Sequence, residues 1–202
     1  MTAHVRILCG VLLSVSSLAS AQEFKSPEQA FLHLHSVAIS PRCVNCHGKK
    51  LSDGRHVPTV GDNMQVHPMH VSSSIPQLGM NCTSCHQRKN FATPHLPPGA
   101  ANDLMPSFLW HMPHESMIIP STITPRELCA KWLNPESNGI EIKRGGRNDM
   151  VLFKKQFERH VEADPLLHWA FSPGPGRKSA PGTKEMFISA MKTWLSGDAP
   201  CP

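Results

Sequence analysis

The chain has 202 residues and a formal charge of +5, with 40% hydrophobic and 17% charged residues. That is too apolar and too weakly charged for a disordered chain, and the positive charge forms no long Lys/Arg run, so a nucleic-acid role has little support. With 6% aromatics, no Tyr, 19 Pro and 13 Gly, the side-chain core is thin and the connections are long and irregular; the unusual counts are 7 Cys and 13 His.

Residues 1–21 read as a secretory signal peptide. His4 and Arg6 give a short positive start, Ile7 to Leu18 is rich in apolar residues, and Ala19-Ser20-Ala21 is a small-x-small cleavage pattern. The apolar stretch is too short for an ordinary spanning helix, so the expectation is an exported, periplasmic protein without a stable membrane anchor. Cleavage removes Cys9 and leaves Cys43, Cys46, Cys82, Cys85, Cys129 and Cys201 in an oxidising compartment.

Ser26-Pro27-Glu28 predicts a helix to about Ile39, with Ser26 as N-cap and Pro27 at the first helical position. Cys43-Val44-Asn45-Cys46-His47 follows at once, and Cys82-Thr83-Ser84-Cys85-His86 is a second copy of the same pattern. In an exported protein the pattern C-x-x-C-H reads as a c-type haem attachment site. Two thiols meet the two vinyl groups of one porphyrin, and the next His offers its imidazole to the iron. The two x positions face no such demand, and they differ between the copies. Structural zinc, a redox dithiol and plain disulfides are the competing uses of C-x-x-C pairs. Zinc needs no His after each pair, and neither copy follows a clear strand. Two covalently bound haem c groups are therefore expected, with His47 and His86 as proximal iron ligands. Their porphyrins would help to fill the thin core.

Residues 48–81 look like a loop-rich crossing segment, and residues 90–122 are Pro-rich extended chain expected to wrap over haem faces. Each iron needs either a second ligand for electron transfer or an open position for catalysis. His67 and His70, three apart shortly before the second motif, are the preferred distal ligands. Their arrangement is similar to one used by small multihaem cytochromes. Trp110-His111-Met112-Pro113-His114-Glu115-Ser116-Met117 holds the alternatives His111 and Met117, and Met105 and Met112 also precede Pro. His160, on a predicted helix, is the third alternative; His33, His35, His56, His95 and His168 are weaker.

Thr124-Pro125-Arg126-Glu127 is a capping-box pattern for a helix to about Leu133. Residues 147–163 form the next predicted helix, with Met150, Phe153, Phe157 and His160 or Val161 at helical spacing. A Pro/Gly loop runs from Pro173 to Gly182. Thr183 caps a last helix whose stripe of Met186, Phe187, Ala190, Met191, Trp194 and Leu195 is core packing, with Gly197 after it. Cys129 and Cys201 remain after haem attachment, and their even count in an oxidising compartment predicts one disulfide. The expected architecture is mostly α with long irregular loops, a single dihaem cytochrome c domain over 22–202. Residues 22–95 form its haem-attachment half, and 96–202 its covering helices and loops.

Several stretches resemble the small exported dihaem cytochromes c known as isoquinoline 1-oxidoreductase subunits. Besides the two motifs they are Gly61-Asp62, Met80-Asn81, Gln87 with Asn90, Pro97-Pro98-Gly99-Ala100, Trp110-His111-Met112-Pro113, Leu128-Cys129, Asn134-Pro135 with Asn138-Gly139, His160 with Asp164-Pro165-Leu166, Trp169, Pro173-Gly174-Pro175-Gly176-Arg177, Pro181-Gly182 and Pro200-Cys201-Pro202. The resemblance spans most of the sequence after residue 21. It implies single-electron transfer beside a redox protein partner such as a molybdenum hydroxylase, and onward to the respiratory chain. The sequence itself carries no recognisable molybdopterin or iron–sulfur pattern. The alternative is a dihaem enzyme with one open iron that reduces peroxide or another small oxidant. A haem-based sensor is a third possibility, and no attached signalling domain supports it.

Overall fold

The structure, a computed structural model, describes residues 24–69, 71–72, 82–93, 96–100, 110–139 and 150–202. The expected signal peptide, His70, His95 and Met105 lie outside the described residues. The architecture is mostly α. In sequence order the helices are α1 (Pro27–Ala38), α2 (Pro41–His47), α3 (Pro125–Leu133), α4 (Met150–Ala163), α5 (Pro165–Phe171) and α6 (Lys184–Ser196). Between α2 and α3 lie four two-residue strands, β1 (Lys49–Lys50), β2 (His56–Val57), β3 (Thr59–Val60) and β4 (Gln65–Val66). They pair antiparallel as β1–β2, with Lys49 opposite Val57, and as β3–β4, with Thr59 opposite Val66.

Local chemistry sets the helix starts. Ser26 accepts from the Gln29 N–H with Pro27 as the first helical residue. Thr124 and Glu127 form the reciprocal capping box of α3, and Thr183 Oγ1 accepts from the Met186 N–H of α6 at 3.1 Å. Each satisfies a backbone N–H that the helix itself leaves orphaned. The predicted ends of α1, α3 and α6 match within a residue. Three elements are not announced by the sequence: α2, α5 and the paired strands in the segment expected to be loop. Helices α2 and α5 have seven residues each, and the strands two, too short for periodicity to register.

The core lies where α1 and α6 pack on each other, with α3 and α4 against them. Phe31, Leu34 and Val37 of α1 meet Ala190, Met191 and Trp194 of α6, all fully buried. Of the stripe predicted on α6, only Met186 is half-buried rather than buried. Trp194 is the hub. Its ring centre is 4.9 Å from Phe31 and 6.0 Å from Trp132, and Phe153 and Phe157 meet it edge-on. Its indole N–H donates to the Pro200 carbonyl at 2.9 Å, which satisfies the one polar atom the burial would otherwise strand. Cys129, buried on α3, is disulfide-bonded to Cys201, as the cysteine count predicts. The bridge fastens the C-terminus against the core. Among the described residues no helix is long and apolar enough to cross a membrane.

Candidate functional site

Both C-x-x-C-H motifs adopt a helical turn, which explains why the spacing works. In α2, Cys43, Cys46 and His47 stand at i, i+3 and i+4 and so share one helix face. The second motif opens as a 3-10 turn over Cys82–Ser84, and the His86 N–H donates to the Cys82 carbonyl at 2.9 Å. The four thiols Cys43, Cys46, Cys82 and Cys85 are free. Burial pushes the Cys43 thiol up to about 11 and Cys46 to about 12, with the nearby Cys82 thiol contributing to the rise at Cys46. Neutral thiols of this kind are poor dithiol redox catalysts, whose nucleophile needs a lowered pKa. Among the described residues no three His, Cys, Asp or Glu side chains converge as a metal-ion site, so the four Cys do not form a zinc-type cluster.

The two motif histidines are held alike. His47 Nδ1 donates to the Met117 carbonyl at 2.7 Å, and His86 Nδ1 donates to the Pro98 carbonyl at 2.9 Å. A carbonyl only accepts, so the proton sits on Nδ1 and Nε2 keeps its lone pair. Burial also pushes the His47 imidazole down to about 4 and lowers His86, which keeps both rings neutral, as a metal-binding nitrogen must be. The carbonyls of Met117 and Pro98 are positioning groups that no sequence pattern announces, because any residue can supply a carbonyl.

The x positions are not idle. Val44 is buried. Asn45 accepts from Thr59 Oγ1 at 2.8 Å and donates from Nδ2 to the Gly61 carbonyl at 2.9 Å, which ties the motif helix to β3. On the other side of α2, Gly48 turns the backbone with φ of 66°. There His56, fully buried, donates from Nε2 to the His47 carbonyl at 2.8 Å.

The first motif opens on a cavity of about 310 Å³, at the lower end of the roughly 300–1,000 Å³ typical of ligand sites. Its wall is largely apolar, with Ile119, Phe153, Leu166, Leu167 and Ala170 beside Cys43, Cys46 and His47. Such a site, two thiols and one imidazole nitrogen beside an apolar cavity, can hold a flat apolar cofactor covalently. His111, Met117 and His160 also line it. Met117 serves the motif through its carbonyl, while its thioether lies against Gly139, where a Cβ would overlap the sulfur. His160 donates from Nδ1 to Asp164 at 2.9 Å, and Asp164 is 4% exposed. Burial raises the Asp164 carboxyl, but the hydrogen bond and charge of His160, the Leu166 N–H and the nearby His111 outweigh it and leave the group below its ordinary value. Asp164 is a functional candidate that the spacing of the motifs does not single out. Its signals in the sequence are Asp-Pro at a helix start, four residues after His160, and its place in the resembling stretch with Pro165 and Leu166.

The second motif sits among different partners. Trp110 stacks on the His86 imidazole with ring centres 4.1 Å apart, and Trp169 of α5 meets Trp110 edge-on at 5.9 Å. His67, one of the preferred distal ligands, lies 6.3 Å from His86 between ring centres. Two imidazoles bonded at ~2.0–2.1 Å to opposite sides of one metal have ring centres roughly 6 Å apart. His67 Nδ1, however, accepts from the Met69 N–H at 3.2 Å, unlike the Nδ1 of His47 and His86. Asn90 knits the site together: Oδ1 accepts from the Gly99 N–H at 3.1 Å and the Trp169 indole N–H at 3.0 Å, and Nδ2 donates to the Pro173 carbonyl at 3.1 Å.

Helix α5 is a shared wall. Leu166, Leu167 and Ala170 face the first cavity, while Trp169 meets Trp110 and Asn90 beside the second motif. Arg42, 6% exposed and lining the first cavity, pairs with Asp62 and lies over the Trp169 ring at 5.8 Å. The weaker histidine candidates fall away from both sites or are spent elsewhere. His35 and His168 donate through Nε2 to the Ile123 and Val161 carbonyls, and His33 packs beside Phe24 and Gly182. No family model, no curated protein and no solved structure matches the sequence.

Proposed function

We propose that this protein is an exported, periplasmic dihaem c-type cytochrome that relays single electrons from a partner dehydrogenase or molybdenum hydroxylase to the respiratory chain. Cys43 and Cys46 would hold one haem c, and Cys82 and Cys85 the other, with His47 and His86 on the two irons. The observation that carries the reading is the matched treatment of the motif histidines. Each lies in a helical turn behind two free thiols, and each is fixed through Nδ1 by a backbone carbonyl. A metal-bound imidazole has this arrangement, because the outer hydrogen bond sets the tautomer and the ring orientation. A dithiol or a disulfide pair has no use for it.

Bound haem supplies a one-electron centre whose potential depends on its axial ligands and burial. The protein's own residues give the first site a largely apolar wall, favour the neutral form of both motif imidazoles, and bring α5 beside both sites. Adjacency suits a relay, since both centres then share one rigid wall. Protein made in a host that matures c-type cytochromes should gain the mass of two haems, and Cys85→Ala with Cys82→Ala should reduce that to one. A bare polypeptide, or one that purifies with zinc, overturns the proposal.

A further inference from the structure

We propose that His160 is the second axial ligand of the iron held beside His47, and that Asp164 is its positioning residue. The assignment rests on the dihaem reading and deepens it. Three side chains considered as distal ligands line the first cavity, His111, Met117 and His160, and their surroundings separate them. Met117 gives its carbonyl to His47 and lays its thioether on Gly139, which commits it to the His47 side. His111 sits on an irregular segment, and His160, though its side chain is 42% exposed, sits on a helix. His160 projects from the last turn of α4, and its Nδ1–H is held by a buried carboxylate at 2.9 Å.

That carboxylate has two duties. Asp164 Oδ2 accepts from His160, and Oδ1 accepts from the Leu166 N–H at 2.8 Å, capping α5. One side chain thus fixes the imidazole to the junction of two helices. A buried carboxylate is costly unless it is paired and hydrogen-bonded, so the dyad has a defined geometry. With Nδ1–H donating to Asp164, Nε2 is the ring nitrogen left to face the cavity side. Carboxylate, imidazole and metal in this order is the arrangement in which the outer carboxylate raises ligand basicity. His47, His86 and His160 all spend Nδ1 on an acceptor, whereas His35, His56 and His168 spend Nε2. Of these six, His160 shares with the motif pair an Nδ1–H held by an acceptor, whereas His67 and His114 use Nδ1 to accept from the Met69 and Ser116 N–H groups.

The test uses full-length protein matured with haem, and reads haem count by mass, spin state by EPR and both potentials by optical titration. Wild-type protein should carry two haems. His160→Ala should keep both and turn half of the haem high-spin, with added imidazole restoring the low-spin signal. His160→Met should keep a six-coordinate iron, raise that haem's potential and add a thioether-to-iron charge-transfer band. Asp164→Asn retains a competent N-cap but loses the anionic acceptor. It should raise the potential of that haem alone, which a purely structural role would not do. If His160→Ala and His160→Met carry two haems with spectra and potentials unchanged, the assignment is overturned. Conversion by His111→Ala in their place also overturns it, and gives the ligand as His111. Wild-type protein without haem would instead sink the cytochrome reading itself, and this assignment with it.

Discussion

Asn90→Leu should weaken the second site more than its half-buried position suggests. The Gly99 N–H that Asn90 Oδ1 accepts and the Pro98 C=O that His86 Nδ1 donates to belong to one peptide unit. Asn90 therefore holds one end of the plane whose other end orients the imidazole. Leu has nearly the same shape and makes none of the three hydrogen bonds. At roughly 0.5–1.5 kcal/mol each, their loss comes to about 3 kcal/mol, which for a protein of this length is a fall in Tm of about 6–12 °C. Gly174, with φ of 83°, packs against the Asn90 amide, so the loop has little room to relax around a new side chain. Thermal melts followed by far-UV circular dichroism read the stability. In protein matured with the proposed haems, the EPR g-values of the second haem read the ring orientation. Asn90→Asp keeps the oxygen acceptors and should fall between wild type and Leu. A Leu variant within about 0.5 kcal/mol of wild type, with an unchanged second-haem spectrum, would refute the view that this side chain holds the Pro98–Gly99 peptide.

Three further perturbations follow from the same geometry. Gly48→Ala forces a Cβ onto the Val57 carbonyl and a backbone with φ of 66°. The left-handed conformation alone costs roughly 1–3 kcal/mol, and the yield of protein with a haem on the first motif should fall with the Tm. Cys129→Ser with Cys201→Ser opens a bridge between residues 72 apart. The loop-closure argument gives a loss of about 4 kcal/mol, to be measured by denaturant titration; an unchanged midpoint would mean that the C-terminus is held by Trp194 and its bond to Pro200 alone. Trp194→Ala empties the centre of the aromatic cluster and should cost about 3–5 kcal/mol, read as a shift of the same midpoint, whereas a loss under about 1 kcal/mol would place the core elsewhere.

The helices that the sequence announces carry a cap, helical apolar spacing or both, and α4 is announced by spacing alone. Ser26, Thr124 and Thr183 each mark a start, and the apolar positions of α1 and α6 repeat every three to four residues. Helix α5 has an Asp-Pro start but only seven residues, and it buries Pro165 and Ala170 rather than a long stripe. Its role as a wall between two sites comes from the third dimension. The same holds for the motifs. Their spacing names the thiols and the imidazole, because a helical turn brings i, i+3 and i+4 together. It is silent on the carbonyls of Met117 and Pro98, 70 and 12 residues away from the imidazoles they orient.

The histidines show why the distal ligands are the least legible part. Thirteen His residues look alike in a sequence, and proximity to the second motif favours His67 and His70. In space, His67 does approach His86, but the first cavity is lined by His111, Met117 and His160 instead. On the proposed assignment, a ligand differs from His35, His56 and His168 in having its Nδ1–H, rather than its Nε2–H, held by an acceptor. That choice is made by a carbonyl or carboxylate often far away in the sequence. His56 illustrates the other outcome. It is fully buried next to the first motif, yet its Nε2–H donates to the His47 carbonyl, so it braces the turn that carries His47. His56→Gln, which can still donate to that carbonyl, should therefore leave haem count and spin state unchanged. His56→Ala should lower Tm and the yield of haem on the first motif together. Loss of a low-spin iron in the Gln variant, in protein still carrying two haems, would show that the nitrogen in use does not separate His56 from the ligands.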